Sequence, residues 1–134
     1  MRLGISIVVL SALVAAACAQ PTSVAPTPSN PTTDTFTGTL QPQTTNTHNF
    51  TVTQGGGELD VTLAATSMPV ALGLGVGQPS TAAGCLLLQS LTTQAGSTAQ
   101  ITGTATVSGN FCVAIYDVGN ATDPVDYTIT VLHR

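Results

Sequence analysis

Few side chains in this 134-residue chain can do chemistry: six carboxylates, two histidines and three cysteines, beside two arginines and no lysine. Half of the carboxylates fall within residues 117–126. In that stretch Asp117, Asn120, Asp123 and Asp126 recur every third residue. Calcium takes about six to eight oxygens from carboxylates, side-chain amides and backbone carbonyls, so this spacing makes a candidate calcium loop. The same Asp, Asn, Gly and Pro are also what a hairpin connection uses to satisfy its own backbone. Glu58 and Asp60 sit two residues apart. Paired carboxylates run glycoside hydrolysis, but at this spacing they share one face of a strand and read as its wet side. His48 lies among Thr and Asn at a strand start and His133 is penultimate, so both read as solvated strand-end residues rather than as bases or ligands. Cys85 and Cys112 have no histidine or basic residue close in sequence, which argues against a nucleophilic thiol. G-x-S-x-G, H-E-x-x-H and phosphate-cradling glycine loops are absent, and no catalytic residue is assigned.

The elements that must position these groups are strands. Phe36, Gly38 and Leu40 alternate with threonines; so do Phe50 and Val52, and Tyr127, Ile129 and Val131. Leu59, Val61 and Leu63 alternate with Glu58, Asp60 and Thr62. Val70, Leu72, Leu74 and Val76 alternate with Ala71, Gly73 and Gly75, and Phe111, Val113 and Ile115 follow Gly109 at the same period. Period-two alternation predicts antiparallel strands with one face on a core. Glycine- and asparagine-rich turns separate them, and segments 85–91 and 100–107 complete the set. About eight short strands predict an all-β antiparallel sandwich or jelly roll over residues 34–134. Phe111 and Val113 on the core side place Cys112 on the opposite face.

The N-terminus carries an address. Arg2 is followed by an apolar and small-residue run over residues 3–17 that leads into Cys18. Residues 1–19 therefore read as an export leader, since the run is too short to span a bilayer comfortably. Ala15-Ala16-Ala17-Cys18 resembles a lipobox, with cleavage before Cys18 and acylation of that residue. Ala17-Cys18-Ala19 also fits an ordinary A-x-A cut that would release a soluble product. Residues 20–33, with prolines at 21, 26, 28 and 31, are too polar to bury a core and predict an extended, disordered spacer. A spacer is what an anchored domain needs, which favours the lipoprotein reading. In an oxidising compartment Cys85 and Cys112 form an even pair, so a disulfide is expected. Loss of the leader removes Arg2 and leaves Arg134 as the only cation against six carboxylates. Such a chain lacks the phosphate contacts of a nucleic-acid binder and the polybasic patch of an anionic-lipid binder.

The strand motifs, in order, resemble the bacterial pre-peptidase C-terminal domain, a small β-sandwich appended to secreted proteases. Gly38-Thr39-Leu40 matches its opening strand, and His48-Asn49-Phe50-Thr51-Val52 its second, with His48 where an acidic residue is usual. Gly57-Glu58-Leu59-Asp60-Val61-Thr62-Leu63 and Leu72-Gly73-Leu74-Gly75-Val76 match the next two. Gly109-Asn110-Phe111-Cys112-Val113-Ala114-Ile115 and Tyr127-Thr128-Ile129-Thr130-Val131 match the last two. The resemblance implies a non-catalytic β-sandwich, but no peptidase precedes it in this chain.

Three functions fit these observations. The first is a non-catalytic cell-envelope module, extracytoplasmic and lipid-anchored or else soluble in the periplasm or medium, that binds an envelope polymer or protein. The second is a calcium-stiffened adhesive domain. The third is a small secreted hydrolase, which lacks a nucleophile–base set. The anchor is directly testable: intact-mass measurement of the membrane fraction should find a lipidated chain that begins at Cys18. A soluble chain that begins at Gln20 would exclude it.

Overall fold

Alternation of apolar and polar residues runs through almost every segment from residue 34 on, and the described residues answer with strands alone. The computed structural model describes residues 30–134. The eight strands are β1 (Thr32–Leu40), β2 (Thr45–Val52), β3 (Gly57–Thr66), β4 (Leu72–Ser80), β5 (Gly84–Thr93), β6 (Ile101–Ala105), β7 (Gly109–Tyr116) and β8 (Val125–His133). They form two four-stranded antiparallel sheets, ordered β1-β8-β3-β6 and β2-β7-β4-β5. Every connection except β4–β5 crosses from one sheet to the other, which is the jelly-roll arrangement. The inward set, including Leu63, Leu74, Val113, Ile115, Ile129 and Val131, is fully buried between the sheets. A slip of one residue in any central strand would turn its whole apolar set to water, so the register is strongly specified.

The leader at residues 1–19, Cys18 and the spacer up to residue 29 lie outside the described residues. The spacer boundary moves: Thr32 and Thr33 already belong to β1, paired with His133 and Leu132. Val70 does not open β4. Its N–H donates to the Met68 carbonyl at 2.8 Å, and this tight turn leaves Val70 half-buried ahead of the strand. The sixth strand ends at Ala105 rather than at 107, where the chain turns toward β7.

The outer face of β4 is a row of glycines. Leu72, Leu74 and Val76 point into the core, which leaves Gly73, Gly75 and Gly77 on the far side. Neighbours occupy the space that side chains would have taken. A Cβ on Gly73 would overlap the Tyr116 ring, one on Gly75 would press on Leu87 at 2.9 Å, and one on Gly77 would collide with the Leu86 carbonyl. The β4–β5 hairpin therefore folds back over its own sheet. A bulge between Val76 and Gly77 supplies the bend.

The disulfide fixes this fold-back. Cys85 on β5 is bonded to Cys112 on β7, with Cα atoms 5.8 Å apart. Strands two places apart in a flat sheet lie about 9–10 Å apart, so the bond requires the hairpin tip to leave the plane. Cys85, Cys112 and Ala114 are buried there with Leu87, as a second apolar cluster outside the main core. In the chain-entropy model a loop of this length contributes about 3.6 kcal/mol.

The sandwich has two side seams. Between β1 and β2, the Phe36 ring stacks on His48 at 4.9 Å. His48 Nε2 meets the Tyr127 hydroxyl at 2.8 Å, and Asn46 donates to the Thr39 carbonyl at 3.0 Å. That seam is closed. Between β5 and β6 no comparable plug exists among the described residues.

Core and outer faces should respond differently to truncation. Ile115→Ala removes a fully buried side chain and should cost about 2–5 kcal/mol in denaturant unfolding. Thr128→Ala, on the outer face of the other sheet, should cost well under 1 kcal/mol (about the surface norm). Equal losses at the two positions would show that the faces are assigned wrongly.

Candidate functional site

The antiparallel strands give the sandwich two ends. At one end lie the connections β1–β2, β3–β4, β5–β6 and β7–β8, here called the loop end. At the other lie the start of β1, the end of β8 and the connections β2–β3, β4–β5 and β6–β7, here called the tether end.

Asp117 organises the loop end. Its Oδ1 accepts the backbone N–H groups of Gly119 and Asn120 at 2.9 Å and of Ala121 at 3.0 Å. Its Oδ2 accepts the N–H of Gln43 in the β1–β2 turn at 2.9 Å. These donors, the Gln43 N–H foremost, hold the carboxyl below its ordinary value of 3.8. Asn120 donates its side-chain amide to the Ala71 carbonyl at 3.1 Å, which ties in the β3–β4 loop. Asp123 accepts from Thr122 at 3.0 Å, and Asp126 accepts from Thr39 at 2.6 Å on the outer face of the β1 sheet. The four residues read as calcium ligands thus serve separate backbone and hydroxyl partners. Among the described residues no group of three or more His, Cys, Asp or Glu side chains is placed to hold a metal ion.

Neither histidine is a solvated strand-end residue. His48 is half-buried in the closed seam, and burial lowers its pKa. His133 is 3% exposed, with Nε2 2.9 Å from Asp34 Oδ2 and its ring centroid 5.3 Å from that of Phe50. The pair clamps the first residues of β1 onto the last of β8. Their recorded partners are a phenol and a carboxylate, not a serine or threonine hydroxyl. Glu58 is exposed and Asp60 half-exposed on the outer face of β3, as their spacing implied. Tyr116 lies outside the core, folded over Gly73.

The open seam holds an apolar cleft of about 230 Å³. Leu59, Val76, Ile101 and Phe111 form its floor, and Leu88 and Val107 its rim. Gly103 makes the cleft: it faces inward between Ile101 and Ala105, and a Cβ there would meet nothing within 4 Å. Leu88 is 67% exposed, Val107 56% and the nearby Leu86 58%. No charged side chain lines this cleft. Sequence reasoning missed it, although the inward triplet Ile101, Gly103 and Ala105 carried the signal, as two of its three positions are too small to fill a core. The His133–Asp34 clamp had no local signal, since its partners lie at opposite ends of the domain.

No family model and no curated protein sequence matches the chain. Among solved structures, the chain is similar to the Aeromonas hydrophila protein PliG, a periplasmic lysozyme inhibitor of g-type lysozyme. The TM-score is 0.50 at 13% identity, over 74% of this chain and 85% of that one. At that identity the likeness is one of fold. A chain from the structure of infectious bursal disease virus strain Gx aligns at a TM-score of 0.26 and 14% identity, over 77% of this chain and 32% of that one. That score carries no structural argument.

The Asp117 hub gives the loop end a pH response. Its carboxyl titrates lower in the folded loop than when free, so its contribution is complete above 3.8 and is lost as pH falls through the folded value. Amide chemical shifts of Gly119, Asn120 and Ala121 should hold steady from neutral pH down to that point and move together below it. Asp117→Asn, with one acceptor oxygen in place of two, should release part of the set at neutral pH. Shifts that ignore both changes would show that the loop is shaped by something else.

Proposed function

We propose that this protein is a non-catalytic, lipid-anchored module of the bacterial cell envelope that binds a protein partner through its loop end. The observation that carries this reading is the prebuilt loop end. Asp117 and Asn120 tie three of its connections together without a ligand, and it presents three of the chain's six carboxylates. A surface already ordered in its bound shape loses less freedom on association. Acidic groups at its rim favour a cationic partner and speed encounter with it. The disulfide belongs to an oxidising, extracytoplasmic compartment. Asp117 and Asp126 serve structural partners, which favours a binding module over the calcium-stiffened domain. The resemblance to pre-peptidase C-terminal domains is part of the same proposal, since it implies a non-catalytic sandwich.

The fold likeness to PliG suggests the partner class to test: a g-type lysozyme. A g-type lysozyme acting on peptidoglycan should be slowed by stoichiometric amounts of the full-length protein. Asp123→Lys should relieve the inhibition, because it reverses one exposed charge at the loop end without touching the hub. Relief by rising salt should accompany it. An unchanged lysis rate, with no complex detected by titration calorimetry, would remove lysozyme as the partner. Turnover of ester or glycoside substrates by the protein itself would overturn the non-catalytic reading.

A further inference from the structure

The tether end differs from the loop end in its link to the N-terminal residues and in its exposed apolar side chains. It is where residues 1–29 join the domain, because Thr32 at the start of β1 pairs with His133 at the end of β8. It also carries Arg134, whose side chain packs over Gly57. The exposed apolar residues Leu88 and Val107 line the uncharged cleft in this half of the sandwich, and exposed Leu86 follows the β4–β5 turn at the same end. Asp117, Asp123 and Asp126 lie at the opposite end. The tether half also holds three carboxylates, but none lines the cleft: Asp34 is engaged by His133, and Glu58 and Asp60 lie on the outer face of β3.

We propose that the cleft side of the tether end docks on the bilayer that holds the N-terminal lipid. Leu86, Leu88 and Val107 then sit in the interfacial zone and the loop end is turned away from the surface. This rests on the lipid-anchored reading and adds an orientation to it. The attraction is apolar, since the composition supplies no polybasic patch. A patch of three residues binds a bilayer weakly alone, and the tether makes that sufficient. Fourteen peptide units separate Cys18 from Thr32, and a chain of that length can span at most about 50 Å. Such a link holds the patch near the surface at an effective concentration of about millimolar.

The chain contains no tryptophan, so one introduced residue is a unique reporter. Full-length lipidated protein carrying Leu88→Trp, Val107→Trp or Val118→Trp would be reconstituted into phosphatidylethanolamine vesicles, with and without bromine on the acyl chains. All three positions are exposed, and Val118 is at the loop end. Tryptophan at 88 and at 107 should shift to the blue and lose about half of its emission or more on brominated lipid, as interfacial depth requires. Tryptophan at 118 should do neither. Vesicle-bound protein in which all three behave alike and are unquenched would overturn docking and leave the anchor standing. Protein that fails to float with vesicles would overturn the anchor, and docking with it. A blue shift at 88 or 107 that grows with protein concentration in the absence of lipid would assign the face to a second copy instead.

Discussion

Everything in this domain depends on a single layer of aliphatic side chains held between two sheets whose strands arrive from alternate sides. In the jelly-roll order every pairing except the β4–β5 hairpin joins strands far apart in sequence, so neither sheet is complete until the layer between the sheets forms. Leu63, Leu74, Val113, Ile115, Ile129 and Val131 are wholly removed from water, and burial of this kind is the dominant favourable contribution to folding. Polar clamps such as His133–Asp34 refine the result. They close the ends of strands that the apolar layer has already brought together.

The two seams show what that layer leaves undone. Between β1 and β2 the chain places Phe36, His48, Asn46 and Tyr127, and aromatic stacking with hydrogen bonds fills the gap. Between β5 and β6 it places Gly103 and Ala105, and the gap stays open as an apolar cleft. A filled seam adds packing, and an unfilled one gives up dispersion contacts. The open seam faces outward with two exposed apolar residues on its rim, so stability has been left unclaimed where another surface could supply it.

The fold was legible because alternation and turn chemistry are local. The inward residues of six strands, and the placement of Cys112 on the face opposite Phe111, follow from period two alone; β5, whose pairing with β4 shifts register, and β6 do not yield to it. The disulfide partner followed from parity. Val70 was misplaced because a tight turn at Met68 looks like one more step of the alternation. His48 and His133 were misread because their surroundings come from β1, β8 and the opposing sheet, tens of residues away. The spacing of Asp117, Asn120, Asp123 and Asp126 was real but ambiguous. Oxygen ligands for calcium and acceptors for backbone N–H groups are the same atoms, and one of the Asp117 donors, Gln43, comes from a turn 74 residues away.

Low charge sets the remaining problem. Sheet edges are usually guarded by lysines, prolines or inward charges, because an exposed edge invites another strand. This chain has no lysine to use. It guards edges with amides and by folding back. Gln100 accepts from the Leu63 N–H at 2.7 Å, and the Gln100 backbone and Gly96 add bonds along the same edge of β3. Asn46 caps the Thr39 carbonyl. The β4–β5 hairpin curls over its sheet and is pinned there by the Cys85–Cys112 bond. What remains uncovered is β6, five residues long and largely exposed. It borders the open cleft, so the least guarded edge and the least filled part of the core coincide on one side of the molecule. That coincidence makes the cleft side, more than the threonine-covered outer face of the β1 sheet, the place where this domain has surface left to bury.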